Sequence, residues 1–309
     1  MKKSVLVVSY SQSGQMTDIV SALTRPLLDA GIRLHHEVLR PQPAFPFPWP
    51  FFAFLDVFPE SVRLEPRPNQ PPVVAADAHF DLVILAWTVW YLSPAQPMTA
   101  FLQSDAGRRL LRGRPVVSVV ACRNMWLSAF DALKTLVAEA GGRLVDHVAL
   151  TDASPALATF ITTPRWMLTG RRDRYMGLPP AGVNAEQTAA TARFGVALAD
   201  ALAQDMEKRD APMLRGLAAV EVVPHLMLSE RAGRRAFAVW SALIRHCGRA
   251  GQRRRIPALG LFALYLVLMI LTVVPVSLLL QRLAAPLLAR RLAALRQRYE
   301  QPSGAATPS

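Results

Sequence analysis

Cysteine is scarce: Cys122 and Cys247 are far apart in a chain of 309 residues and form no CxxC pair. A disulfide framework and a cysteine zinc site are therefore not indicated. The six histidines, at 35, 36, 79, 147, 225 and 246, show no metal-ligand spacing, and no GxSxG turn occurs. A metalloenzyme or a serine hydrolase is left without support. The opening Met-Lys-Lys-Ser-Val-Leu-Val-Val-Ser-Tyr has too short an apolar part, and no small-residue cleavage site, for a signal peptide. The expected location of the globular part is the cytosol. GxxxxGK[ST], which a triphosphate loop needs, and GxGxxG, which a dinucleotide loop needs, are both missing.

One polar stretch stands out against these absences: Ser9-Tyr10-Ser11-Gln12-Ser13-Gly14-Gln15-Met16-Thr17. It follows the apolar run Val5-Leu6-Val7-Val8, short and rich in β-branched residues, which reads as a buried strand. It precedes Met16, Ile19, Val20, Leu23 and Leu27 at helical spacing. The first N–H groups of a helix lack intrahelical partners, and the dipole there favours negative charge. Serine hydroxyls add donors, and Gly14 permits a tight turn. The stretch holds no Lys or Arg. It suits a phosphate monoester held by main chain and hydroxyls; an ordinary helix cap reads equally well on the loop alone.

Acidic residues run out towards the C terminus. Residues 1–208 hold 20 Lys+Arg and 18 Asp+Glu, a charge of +2; residues 209–309 hold 15 and 4, a charge of +11. A basic tail points to nucleic acid or an anionic membrane. Ile256 to Leu280 decides for the membrane: 25 residues without a charged side chain, preceded by Arg253-Arg254-Arg255. Both flanks are basic and Pro275 interrupts the run, so a transmembrane span and a re-entrant segment both remain open.

The rest of the chain alternates strands with helices. Ile32 to Leu39, Phe80 to Trp87, Pro115 to Ala121 and Leu144 to Leu150 read as further strands. Helices follow near Pro97–Ser104, up to Ala140, and from Glu186 to Lys208. This order predicts an α/β fold with a doubly wound five-stranded parallel sheet. Ligands of such sheets bind outside the carboxyl ends of strands, at a switch point. The loops Ser9–Thr17, Trp87–Pro94 and Cys122–Trp126 are expected to share one crevice. Residues 41–72 carry ten prolines, which excludes regular structure over most of the segment. They also carry Phe45, Phe47, Trp49, Phe51, Phe52, Phe54 and Phe58, so the insert reads as a lid over a greasy substrate, a bilayer contact, or a cover on the domain. Residues 151–184 read as irregular. The expected division is 1–208 as the sheet domain, 209–255 as a basic amphipathic connector, 256–280 as the membrane segment, and 281–309 as a basic helix with a disordered end.

The order of elements, with Ser11-Gln12-Ser13-Gly14-Gln15 in place, resembles the flavodoxin-like family of FMN-binding proteins over residues 4–208. The resemblance implies that Ser11, Gln12, Ser13, Gly14 and Gln15 hold the FMN phosphate. It implies that Trp87, Thr88, Val89, Trp90 and Tyr91 line the isoalloxazine, with Arg123, Asn124 and Trp126 on its other side. The family usually closes its phosphate loop with Thr where this chain has Met16; Thr17 comes one residue late. More narrowly, Val-Ser-Tyr-Ser-Gln-Ser-Gly-Gln, the Phe/Pro-rich insert, Trp-Tyr-Leu-Ser-Pro-Ala-Gln-Pro and the membrane-attached tail are similar to the dialkylresorcinol condensing enzyme family. That implies a bacterial flavoenzyme on the cytoplasmic side of the inner membrane, a ketosynthase partner, and aromatisation of a dialkyl cyclohexanedione.

The chemistry so implied is oxidoreduction of an apolar small molecule, with FMN taking a hydride. His79, Tyr91 and Asp152 are proton-acceptor candidates by residue type alone. Anionic membrane lipid is an expected partner and nucleic acid is not. Without the resemblance, residue type favours core packing for Trp87 and Trp90, a solvated surface charge for Arg123, and a small buried hydrophobe rather than a redox thiol for Cys122. Two other functions stay open: an NAD(P)H:quinone oxidoreductase on the same fold, and a non-enzymatic membrane scaffold of a biosynthetic complex.

Overall fold

A computed structural model describes residues 2–75, 77–209, 211–273, 276 and 293–304. Strand β1 (Ser4–Ser9) pairs in parallel with β2 (Arg33–Val38) on one side and β3 (Leu82–Trp90) on the other. Strands β5 (Pro115–Cys122) and β6 (Arg143–Thr151) complete the parallel order β2-β1-β3-β5-β6. This is the flavodoxin-like winding, with its switch point between β1 and β3. A sixth short strand, β4 (Ser93–Pro94), folds back antiparallel on β3. Val5 to Val8 and Leu82 to Ala86 are fully buried on both faces of the sheet. Runs of β-branched and aliphatic residues without polar alternation produce that central position.

Helices supply the cover. α1 (Gln15–Asp29) buries Met16, Ile19, Val20, Leu23 and Leu27, the stripe read from spacing. It packs against α8 (Ala185–Ala190) and α9 (Ala192–Ala203). α4 (Gln96–Gln103), α5 (Asp105–Leu111) and α6 (Leu127–Glu139) pack together. The helix expected over Glu186–Lys208 is in two parts joined at Thr191, followed by a short 3-10 turn at Met206–Lys208; Val196, expected on its buried face, is half exposed.

Two segments differ from expectation. The insert contains α2 (Phe51–Asp56) and α3 (Phe58–Arg63), placed in the longest proline-poor stretch of 41–72. Pro50 precedes α2, and Pro59 occupies the first turn of α3, where a missing N–H costs nothing. Residues 151–184 contain α7 (Ala156–Thr169), which runs through Pro164 and ends at Gly170 with φ +73°. The internal proline and the threonines mask its helical signature.

The connector holds α10 (Pro224–His246), which packs on α3 and α6. Glu230 on α10 is buried and accepts the main-chain N–H groups of Leu127 and Ser128. It thereby caps α6, whose own first residues provide no side-chain cap. α11 (Ile256–Leu268) continues through Val273, and the helical stretch Arg253–Val273 is long and apolar enough to cross a membrane, its most apolar 18 residues having a mean hydropathy of 2.5 and being 11% buried. Residues 293–300 are helical. Pro275, most of the expected second half of the membrane segment, and the end of the chain lie outside the described residues, and with them the choice between span and re-entrant turn.

Candidate functional site

A crevice opens at the carboxyl ends of β1, β3 and β5, with a cavity volume of about 220 Å³. Its polar end is the β1–α1 loop. Ser11, Gln12, Ser13 and Gln15 line it. Gly14 sits at the N-cap of α1 with φ +87°, a conformation that costs other residues about 1–2 kcal/mol. The Ser11 hydroxyl accepts the Thr17 N–H at 3.3 Å and keeps its own proton free to donate. Among the described residues, nothing accepts the main-chain N–H groups of Ser13, Gly14, Gln15 or Met16. Open donors at a helix start, with hydroxyls and without cations, form a cradle for one anionic group. Two glutamines brace the loop: Gln12 Nε2 donates to the Pro46 carbonyl at 2.8 Å and Gln15 Nε2 to that of Val183 at 3.1 Å.

The far end is aromatic. Thr88, Val89, Trp90 and Tyr91 line the crevice. β3 runs three residues beyond the expected Trp87 and turns through Tyr91 and Leu92, both at positive φ (51° and 61°), into β4. Such a two-residue turn favours Asn-Gly, so Tyr-Leu here is strained backbone. Packing holds it: Tyr91 OH donates to the Phe54 carbonyl at 2.6 Å, and its ring meets Phe54 and Phe58 at 5.4 and 5.1 Å. Trp90 is surrounded edge-on by Phe45, Trp49 and Tyr10, at 4.9, 5.7 and 5.9 Å. The insert thus builds this wall, with Trp49, Phe54 and Val57 among the lining residues.

The third side comes from β5, β6 and α7. Arg123 lines the crevice with its guanidinium 3.7 Å over the Phe160 ring, and its buried Nε has no partner among the described residues. Burial pulls its pKa down to about 10, against the pull of Asp152. Asp152 accepts the Ser154 and Gly182 N–H groups at 2.8 and 2.7 Å. Gly182, at φ +84°, lies so close that an added Cβ would sit 2.7 Å from Gln15 and 2.8 Å from Trp166. Thr163, Trp166 and Met167 of α7 complete the lining. Burial raises the Cys122 thiol far above its ordinary range, so it stays protonated.

Four of the thirteen expected residues are off the crevice wall. Trp87 is fully buried and donates from Nε1 to Ser118 Oγ at 2.8 Å; it is core, because its side chain falls on a sheet face under α-helical cover. Trp126 is buried against Phe130, His147 and Tyr299. Asn124 is half-buried beside the crevice. Gly14 acts through its main chain. Of the proton-acceptor candidates, His79 is exposed at the opposite end of the sheet, where its carbonyl receives Ser4 Oγ. The Tyr91 hydroxyl is held by Phe54 and raised well above its ordinary pKa by burial; Asp152 is engaged by two N–H groups. The α7 contribution was missed because its helix was missed; Trp166 was its only visible signal.

No family model matches the chain, and no curated protein matches it. Solved structures with a similar fold include a flavoprotein in complex with FMN from Lactobacillus acidophilus, at 16% identity and TM-score 0.39, covering 48% of this chain and 93% of that one. A flavodoxin from the domain Archaea is similar at 9% identity and TM-score 0.38, covering 65% and 99%. RosB with a bound 8-demethyl-8-formylriboflavin-5'-phosphate intermediate is similar at 9% identity and TM-score 0.35, covering 76% and 87%. At these values the fold assignment rests on the strand order of the chain itself, which is that of a flavodoxin-like α/β sheet.

Proposed function

We propose that the chain is a membrane-attached flavoprotein that holds FMN in this crevice and oxidises an apolar ring. The observation that carries the reading is the pairing, at the β1/β3 switch point, of a cradle of N–H groups that meet no protein acceptor among the described residues with a wall of Trp90 and Tyr91. The cradle fits a phosphate monoester: Ser11, Ser13 and the N–H groups of residues 13–16 are its donors. Met16 is buried in the core, so it adds no hydroxyl to the cradle, which is left to Ser11, Ser13 and the main-chain donors. Trp90 would offer an aromatic surface to an electron-poor flavin ring, and Arg123, which lines the same crevice, would support negative charge on it. FMN, when bound, supplies hydride acceptance.

The reaction we favour is aromatisation of a dialkyl cyclohexanedione beside a ketosynthase partner, in the manner of the dialkylresorcinol enzymes. The aromatic, proline-stiffened wall suits an alkylated ring. Purified full-length protein should be yellow and release close to one FMN per chain. It should convert a dialkyl cyclohexanedione to the resorcinol with matching flavin reduction. Rapid NAD(P)H consumption with a soluble quinone, and no turnover of the dione, would move the assignment to a quinone reductase.

A further inference from the structure

The aromatic wall of the crevice and the root of the apolar helix are one structure. Arg255, fully buried just ahead of α11, pairs with Asp56 at the end of α2 and with Glu60 of α3, each at 3.1 Å. One residue back along α2, Leu55 shares a buried cluster with Leu259 and Phe262 of α11. α2 packs against α11, and Phe58 of α3 stacks on Phe262 of α11 at 4.0 Å. Phe51 lies one turn further back on the Leu55 face and is 49% exposed; Phe52, its ring neighbour at 5.4 Å, is 43% exposed. α2 and α11 both carry exposed apolar residues: Phe51 and Phe52 on α2, and Leu261 and Leu264, each 54% exposed, on α11. Phe54, also on α2, lines the crevice with Trp49. A helix is about 10–12 Å across, so a single helix, α2, separates the crevice from the surface that α11 offers to lipid. Arg253 and Arg254 are exposed at the head of α11, the level at which anionic headgroups would meet them.

We infer that the crevice is loaded from the bilayer: α2 is a sill set into the membrane surface through Phe51 and Phe52, and the ligand is a membrane-dissolved amphiphile with a polar ring and an alkyl chain. This rests on the crevice being the ligand site. The ring enters the crevice past Trp49 and Phe54, and the chain lies over the sill beside α11. The occupant of the exposed Phe51–Phe52 face is then lipid, because the face belongs to a helix packed against the membrane helix and carries the same apolar chemistry.

The test uses the full chain in nanodiscs of phosphatidylcholine and phosphatidylglycerol doped with a phospholipid carrying a diazirine on its acyl chain. After photolysis, peptides covering residues 49–54 should be labelled together with those covering 256–268. Label on 256–268 but not on the insert overturns the inference, as does label on neither. A second arm measures binding of a quinone with a ten-carbon chain, and of the same quinone without it, by quenching of tryptophan fluorescence. In the Phe51→Ser/Phe52→Ser variant the chain-bearing quinone should bind about tenfold more weakly, a loss of that size following from two aromatic contacts. The chainless quinone should bind as to the wild type. Equal effects on both, or none on either, contradict the inference. Neither arm needs bound flavin. A colourless wild-type protein that still shows both results would defeat the FMN reading alone.

Discussion

The two ends of the crevice are built on opposite principles. The cradle is local: seven consecutive residues, Tyr10 to Met16, lead from the end of β1 through a turn into α1, and its donors are main-chain N–H groups with the Ser11 and Ser13 hydroxyls. The aromatic wall is assembled from a distance. Phe45, Trp49 and Phe54 reach Trp90 and Tyr91 across some forty residues of chain, and the segment that carries them is itself fastened to α10 and α11. The cradle therefore depends on the geometry of one short stretch of backbone and the side chains that it carries. The wall depends on packing and on a buried charge at its base, and it inherits any loosening of the C-terminal helices.

That contrast orders the expected effects. The largest belongs to the base of the wall. Asp56→Ala with Glu60→Ala leaves Arg255 buried and unpaired, and loss of a partner in a buried pair costs about 3–5 kcal/mol. Thermal unfolding in detergent should show a drop of roughly ten degrees, with the insert cut early by protease. An unchanged midpoint would show that α11 and the insert are not coupled. Next is the wall itself. Trp90→Ala should weaken FMN binding by about thirtyfold, from lost stacking and burial of roughly 2 kcal/mol, read by flavin fluorescence on titration.

The cradle comes third. Gly14→Ala meets nothing within 4 Å, so its effect is purely the φ of +87°. A strain of about 1–2 kcal/mol should raise the FMN dissociation constant by about tenfold. A neutral result would mean that the loop binds in another conformation. The smallest effect is at Trp87. Trp87→Phe loses the hydrogen bond to Ser118 and should cost about 1 kcal/mol of stability, while FMN affinity stays within twofold by the same titration. A large affinity loss would return Trp87 to the crevice wall.

The same contrast explains what could be read from residue order. The β1 strand, the cradle and the buried stripe of α1 are visible because their causes are neighbours in sequence: a β-branched run, hydroxyls with one glycine, and apolar residues at helical spacing. α7 was hidden by Pro164 inside it; the helix is held from outside its own sequence, with Arg172 5.2 Å over the Trp166 ring. The strand extension to Trp90 and the strained Tyr91–Leu92 turn were hidden because only the insert, far away in sequence, stabilises them. Trp87 and Trp126 were unresolvable without the fold. A tryptophan at a strand end falls on the core or on the crevice according to which way one residue points, and residue type does not carry that choice.

The central claim is that the β1–α1 loop grips a phosphate monoester, and flavin content tests it most directly. Full-length protein purified in mild detergent with excess FMN, then gel-filtered, should retain close to one FMN per chain, and the Gly14→Ala variant should retain less. Wild-type protein that emerges free of flavin, with its helical circular dichroism intact, would contradict it.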